Sequence, residues 1–152
     1  MNANVVLSGV GLWTPPYKIT NQELVESYNA WAEAYNQKHQ AEIEAGELTA
    51  KPFSSAEFIE KASGIKSRYI YRKEGALDIE RMRPEIPERG EDELSNQAEI
   101  AIEAAKLAMA DANKTADEID AVIVSCAYTQ RSYPAIAIEV QNELGIDGFG
   151  FD

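Results

Sequence analysis

Residues 121–126 read Ala-Val-Ile-Val-Ser-Cys, an unbroken apolar and largely β-branched run with a helical pattern on either side. The run is far short of the ~20 apolar residues that a membrane-spanning helix needs. It also lacks the polar alternation of a half-wet strand. It fits a central strand covered on both faces, as in sheets built by alternating helices and strands. That one segment points to an α/β chain with a layered sheet.

The flanking segments agree. Ser95 is placed to cap a helix whose Ala98, Ala101, Ile102, Ala105, Ala108, Met109 and Ala112 share one small, apolar face. After the central run, Ser132 is expected to cap a helix with Pro134 near its first position, Ile136, Val140 and Leu144 as its core stripe, and Gly145 at its end. Phe149 to Asp152 begins another strand and breaks off without a turn, which reads as a fragment of something larger. Near the start, Val5 to Val10 reads as a buried first strand. It has neither the basic flank nor the cleavage site of a signal peptide. Trp13 to Pro16 is a loop, because two prolines forbid both ladder and helix.

Between these parts, Thr20-Asn21-Gln22-Glu23 is a capping box. Leu24, Tyr28, Trp31 and Tyr35 then lie on one helical face, and the helix extends through His39 and Ile43 towards Gly46. This aromatic stripe either packs against the body of the protein or forms a lid or partner groove. Ser54-Ser55-Ala56-Glu57 opens a shorter helix with Phe58, Ile59 and Ala62 on its apolar face and Gly64 as its left-handed stop. Lys66 to Arg72 alternates like a strand with one wet face. Gly75 to Gly90, rich in Arg, Pro and acids, reads as a loop.

Charge and rare residues narrow the function. Fourteen Lys plus Arg against 26 Asp plus Glu give a net charge of -12. Nucleic acid and anionic membrane surfaces would repel such a chain. A single cysteine, Cys126, excludes an internal disulfide and fits the reducing cytoplasm. With one histidine, His39, there is no Cys/His metal site and no self-contained Cys-His or Ser-His engine. No cofactor is expected, and His39 reads as plain surface.

Four stretches, in order and in register, resemble the N-terminal half of β-ketoacyl-acyl-carrier-protein synthase III, in the thiolase-like condensing-enzyme superfamily. Ser54 to Arg72, SSAEFIEKASGIKSRYIYR, resembles the family's helix, T-G-I-x-x-R and strand. Ile119 to Pro134, IDAVIVSCAYTQRSYP, resembles I-D-x-I-I-V-A-T-x-T…F-P. Ala135 to Asp152, AIAIEVQNELGIDGFGFD, resembles A-x-x-V-Q-x-x-L-G-x…F-D, and Val5 to Pro15 fits the first strand. The resemblance implies the N-terminal part of a thiolase-like layered αβαβα fold with a mixed sheet. In this reading residues 1–152 are an incomplete half-domain, 29–52 a helical insertion and 73–93 an expanded loop.

The implied chemistry is a decarboxylating Claisen condensation of an acyl thioester with a malonyl thioester, in fatty-acid or related biosynthesis. The implied partners are acyl-CoA or acyl-acyl-carrier-protein, and malonyl-acyl-carrier-protein. The resemblance also implies a homodimer through the strand near 148–152. It places the nucleophilic cysteine just beyond Asp152 and its His and Asn partners further on, so no catalytic residue falls within this chain. The alternatives are a head-to-head or hydroxymethylglutaryl-CoA synthase-like condensing enzyme, or a truncated, non-catalytic binding or dimerisation module.

Five residues are carried over as substrate-binding. Phe58 falls where the family has a tryptophan stacked on the adenine of coenzyme A; the alternative is a core residue of its short helix. Ser63 keeps the hydroxyl of the family's Thr. Cys126 and Ala127 fall beside the acyl tunnel, with Cys126 as a buried, structural or tunnel-wall thiol rather than a nucleophile. Tyr133 aligns with a phenylalanine at the pocket floor that reaches across the dimer; otherwise it simply packs. Ala62 departs from the family, which has a phosphate-contacting arginine there. Lys61, Lys66, Arg68, Arg72 and Lys73 form a basic island that either steers an anionic donor or is a solvated strand face.

Overall fold

The computed structural model describes residues 5–152. They form two compact units, Thr14–Pro87 on the one hand and Glu88–Asp152 with the residues up to Trp13 on the other.

In the first unit, β1 (Tyr17–Thr20) runs into α1 (Asn21–Lys38), followed by α2 (Gln40–Glu44), α3 (Ala56–Ser63) and β2 (Ser67–Ile70). The capping box holds: the Thr20 hydroxyl accepts from the Glu23 N–H, and the Glu23 carboxylate accepts from the Thr20 N–H at 2.8 Å. β1 was not expected. It pairs antiparallel with β2, from Tyr17 opposite Ile70 to Thr20 opposite Ser67. Buried Asn21 fastens this pair to the helix start, donating to the Ile65 carbonyl at 2.6 Å and accepting from Arg68 at 3.1 Å.

α1 also binds the extended 51–54 segment through two asparagine amides. Asn29 donates to the Ser54 carbonyl and accepts from its N–H, at 3.0 and 2.8 Å. Asn36 treats Lys51 the same way, at 2.9 and 2.7 Å. Each amide thus imitates one rung of a strand ladder. The aromatic stripe runs on as predicted, with ring centroids 5.7 Å apart for Tyr28–Trp31, 5.6 Å for Trp31–Tyr35 and 4.5 Å for Tyr35–His39.

Lys73 donates to the Glu23 carboxylate at 2.5 Å. That ammonium first, and then the Thr20 N–H and hydroxyl, hold the Glu23 carboxyl down from 4.5 to about 2. A depressed carboxyl pKa stabilises the fold at pH above the unfolded value, and the contribution disappears as pH falls through the folded value. The stability lent by the α1 cap should therefore be complete above pH 4.5 and vanish as pH falls towards about 2. Urea midpoints across that range check this, because Glu23→Gln should flatten that part of the profile. A variant that tracks the native profile would refute it.

In the second unit, α4 (Asn96–Ala112) leads through a 3₁₀ turn at Ala116–Glu118 to β3 (Ala121–Ile123), α5 (Ile136–Leu144) and β4 (Phe149–Phe151). β3 and β4 are parallel, Ala121 opposite Phe149 and Ile123 opposite Phe151, with α5 as their crossover. Ala98, Ile102, Ile136 and Val140 form the buried core, flanked by Val122, Val124 and Leu144. Ser95 caps α4 as predicted, its hydroxyl accepting from the Ala98 N–H at 3.1 Å.

Three expectations are corrected here. Val5–Val10 is not a strand; it lies exposed, without a ladder partner among the described residues. Its continuation instead lies against α4, so close that a Cβ on Gly11 would sit 2.1 Å from the Ala104 carbonyl oxygen. The central run is a strand only to Ile123 and is covered on one face. α5 packs against the Val122 and Gly150 side, while Ile123, Phe149 and Phe151 are exposed. Finally, α5 starts at Ile136 rather than beside Ser132, and its cap comes from afar. The Asp152 carboxylate accepts from the Ile136 and Ala137 N–H groups, both at 2.7 Å.

Candidate functional site

The 14–87 unit contains an open cleft of about 790 Å³ between α1 and α3. Leu24, Tyr28, Phe53, Phe58, Ile59 and Met82 supply its apolar walls, and no lining residue is charged. Local chemistry sets these positions. The two-way Asn29–Ser54 bonding holds Phe53 beside α1. Ser55, one residue later than the expected cap, accepts from the Phe58 N–H at 3.1 Å and so fixes the first turn of α3. Ser27 donates to the Leu77 carbonyl at 2.8 Å and ties down the loop that brings Met82 to the wall. Met82 sits at φ +50°, a left-handed conformation unusual for a long side chain.

Phe53 and Phe58 remain 64% and 65% exposed, so two aromatic faces are open to an incoming group. With no charged residue in its lining and only serine hydroxyls and the Tyr28 phenol as polar side-chain groups, the cleft is suited to binding a flat ring or an apolar chain. Ala62 lies one helical turn from Phe58 on the same side of α3. Ser63 turns its hydroxyl to its own helix end, donating to the Ile59 carbonyl at 2.7 Å and accepting from the Ile65 N–H.

The basic island is largely occupied within the chain. Lys66 pairs with Glu60 at 3.2 Å, Lys73 with Glu23, and Arg68 with Asn21. Lys61 and Arg72 have no ion-pair partner among the described residues. His39 is half-buried rather than plain surface, its ring against Tyr35 and its Nδ1 2.7 Å from Glu42.

The other three predicted residues belong to the 88–152 unit. Cys126 was expected to be buried; it is exposed beyond the end of β3, its thiol donating to the Tyr128 carbonyl at 2.9 Å. Ala127 is exposed beside it. Tyr133 is 87% exposed and borders a polar hollow of about 450 Å³ with Arg89, Glu91, Gln130 and Arg131. Among the described residues, no group of His, Cys, Asp and Glu is placed to hold a metal ion.

Sequence reasoning missed Glu139. It is buried on α5, within the stripe Ile136–Val140. Its two oxygens accept from the Ser95 N–H at 2.9 Å and the Ser95 hydroxyl at 2.6 Å, and Arg131 lies 4.0 Å away. The available signal was one carboxylate between apolar neighbours, and that is also how a wet helix face reads.

Comparison with known proteins gives a consistent result. No protein-family model matches the chain. The chain is 52% identical over 128 residues to a β-ketodecanoyl-[acyl-carrier-protein] synthase of Pseudomonas aeruginosa, covering 84% of this chain and 37% of that one. It is 33% identical over 100 residues to a β-ketoacyl-[acyl-carrier-protein] synthase III of Rhizobium rhizogenes, covering 65% and 25%. The chain thus spans about a third of the length of the curated relatives it matches. Among solved structures it resembles Xanthomonas campestris OleA with bound lauric acid and lauroyl-CoA, with a TM-score of 0.59 at 17% identity over 100% of this chain and 35% of that one. It also resembles AbyA1, a tetronic acid condensing enzyme, with a TM-score of 0.59 at 18% identity over 95% and 33%. The fold is that of the thiolase-like condensing enzymes.

Proposed function

Since this chain is a homologue of the β-ketoacyl-[acyl-carrier-protein] synthases III with the thiolase-like fold, we propose that it is part of a decarboxylating condensing enzyme of fatty-acid or related biosynthesis. An acyl group held as an enzyme thioester is attacked by the carbanion that a malonyl-acyl-carrier-protein forms on losing carbon dioxide. The products are a β-ketoacyl thioester on the carrier and the free enzyme thiol. The 52% identity to a β-ketodecanoyl-[acyl-carrier-protein] synthase carries this reading. Such a synthase works on soluble thioesters in the cytoplasm. Among the described residues no helix is long and apolar enough to cross a membrane.

Within this chain the role is to bind substrate. Cys126 gives its proton to the Tyr128 carbonyl rather than to a base, and it serves in the substrate wall rather than as the nucleophile. Cys126, Ala127 and Tyr133 line the acyl tunnel, where the bulk of Tyr133 shortens the pocket. The enzyme is a homodimer joined through β4. The test is carbon dioxide release and β-ketoacyl product from the complete protein given an acyl thioester and malonyl-acyl-carrier-protein. Both should survive Cys126→Ala; absence of either product from the native protein refutes the proposal.

The cleft receives the donor's carrier arm, with Phe58 as the stacking face. Ala62 offers no cation to a phosphate, which favours a carrier-protein donor over coenzyme A. Ala62→Arg should supply a charge-assisted hydrogen bond worth ~1.5–3 kcal/mol, or roughly 10- to 100-fold tighter acyl-CoA binding. Phe58→Ala should weaken the same binding. Calorimetric titration of the complete protein decides: unchanged affinity in both variants would place the nucleotide elsewhere.

A further inference from the structure

One guanidinium holds three segments together in the 88–152 unit. Arg131 donates to the Glu91 carbonyl at 3.2 Å and the Glu93 carbonyl at 2.7 Å, and it faces the Glu139 carboxylate at 4.0 Å. The Arg131 side chain is 18% exposed and that of Glu139 only 5%. A buried carboxylate is tolerated only when hydrogen-bonded and charge-paired. Glu139 meets both conditions, through Ser95 at the start of α4 and through Arg131. Glu139 and Ser95 are 44 residues apart, so this is a tertiary link and not a helix-local one.

Tyr133, two residues beyond Arg131, has little packing of its own at 87% exposure. Its position is therefore decided by what anchors the loop. Arg131 is the charged anchor, and Gln130 adds a second tie, accepting from the Asn96 backbone and side-chain N–H groups at 3.0 Å each.

We infer that Arg131 and Glu139 are positioning residues for the loop carrying Cys126, Ala127 and Tyr133, and that through it they set the acyl chain length the enzyme accepts. The chain-length part rests on the reading of Tyr133 as an acyl-pocket residue. Arg131 clamps this loop to residues 91–93, and Glu139 beneath it keeps the guanidinium in place. An apolar residue at 139 would leave the Ser95 N–H and hydroxyl without these acceptors, and would leave Arg131 held by the Glu91 and Glu93 carbonyls alone.

The experiment uses the complete protein and the variants Arg131→Ala, Glu139→Gln and Tyr133→Ala. Glu139→Gln removes the charge that faces Arg131 and keeps one of the two acceptors that Ser95 uses, the amide nitrogen taking the place of the other. Amide hydrogen exchange over 126–134 and 88–94 should quicken by about tenfold in Arg131→Ala and Glu139→Gln, beyond the change in the rest of the 88–152 unit, even as loss of the buried pair lowers the thermal midpoint. The ratio of kcat/KM for a long against a short acyl thioester should shift by about five- to tenfold in both, in the direction that Tyr133→Ala shifts it. A purely structural role would quicken exchange evenly across the 88–152 unit and leave that ratio alone. Unchanged exchange over 126–134 overturns the positioning inference, whatever Tyr133 does. Faster exchange with an unshifted ratio, while Tyr133→Ala moves the ratio, overturns the chain-length role. An unshifted ratio in Tyr133→Ala itself overturns the reading of Tyr133 instead, and the exchange result still decides the positioning.

Discussion

Gly148→Ala should detach β4 from β3 and cost the 88–152 unit about 2–4 kcal/mol. A Cβ at this position would lie 2.3 Å from the Asp120 carbonyl oxygen and 2.7 Å from the carbonyl carbon. Both atoms are backbone, so no side chain can swing aside to make room. The same carbonyl accepts from the Phe149 N–H at 3.0 Å, the first rung joining the two strands. Moving Asp120 away breaks that rung and disturbs the register in which Phe149 faces Ala121. Further along, the Val124 N–H donates to the Phe151 carbonyl at 2.8 Å, and Asp152 caps α5. A displaced β4 therefore also loosens the helix behind it. Gly145→Ala is the comparison. Its φ of +67° is strained for alanine, but nothing lies within 4 Å of the added Cβ. That change should cost only about 1–2 kcal/mol. Urea unfolding of both variants separates lost space from lost conformational freedom. Equal destabilisation would mean that the close approach at Gly148 is unimportant.

How much was legible in the sequence follows from the range of the forces concerned. The starts of α1 and α4 and the stops of α3 and α5 were readable because their signals are local, whereas the break between α1 and α2 at His39 was not. Thr20 and Ser95 accept hydrogen bonds from N–H groups three residues on, and Gly64 and Gly145 take left-handed conformations. The start of α5 was misread because its cap, Asp152, is 16 residues away from Ile136. β1 escaped notice because four residues between two prolines and a helix cap carry little periodicity, and its strand exists only because β2 lies beside it. Val5–Val10 failed the opposite way. Its β-branched residues favour a strand, yet a strand also needs a neighbour to pair with.

The site divides along the same line. Phe58 is a candidate through the resemblance, and its place in the apolar cleft follows from the Ser55 cap and the Asn29–Ser54 pairing. That three of the five island cations are paired within the chain is a tertiary fact, since Lys73 and Glu23 are 50 residues apart. Glu139 was hidden for the same reason. In a helix pattern one carboxylate among apolar neighbours reads as solvent-facing, and only the fold brings Ser95 and Arg131 to it.

Phe151→Lys should dissociate the proposed homodimer, raising its dissociation constant by at least roughly 100-fold. β4 pairs with β3, and among the described residues it has no second partner strand. Phe149 and Phe151 project from the face away from α5, 69% and 55% exposed, with ring centroids 6.4 Å apart. Ile123 extends the same face at 78% exposure. Three large apolar side chains beside a free strand edge make a surface that seeks another strand. A twin β4 would satisfy the open backbone groups and cover the aromatic rings together. An ammonium placed there must either be desolvated without a partner or hold the strands apart, and both oppose association. The change leaves the backbone bond between Val124 and Phe151 available, because that bond does not depend on the side chain. Sedimentation velocity of the complete protein at micromolar concentration reads the outcome, with circular dichroism to verify the fold. Phe53→Lys, on the cleft of the 14–87 unit, serves as the control and should remain dimeric. If Phe151→Lys associates as tightly as the native protein, the subunits meet through some surface other than β4.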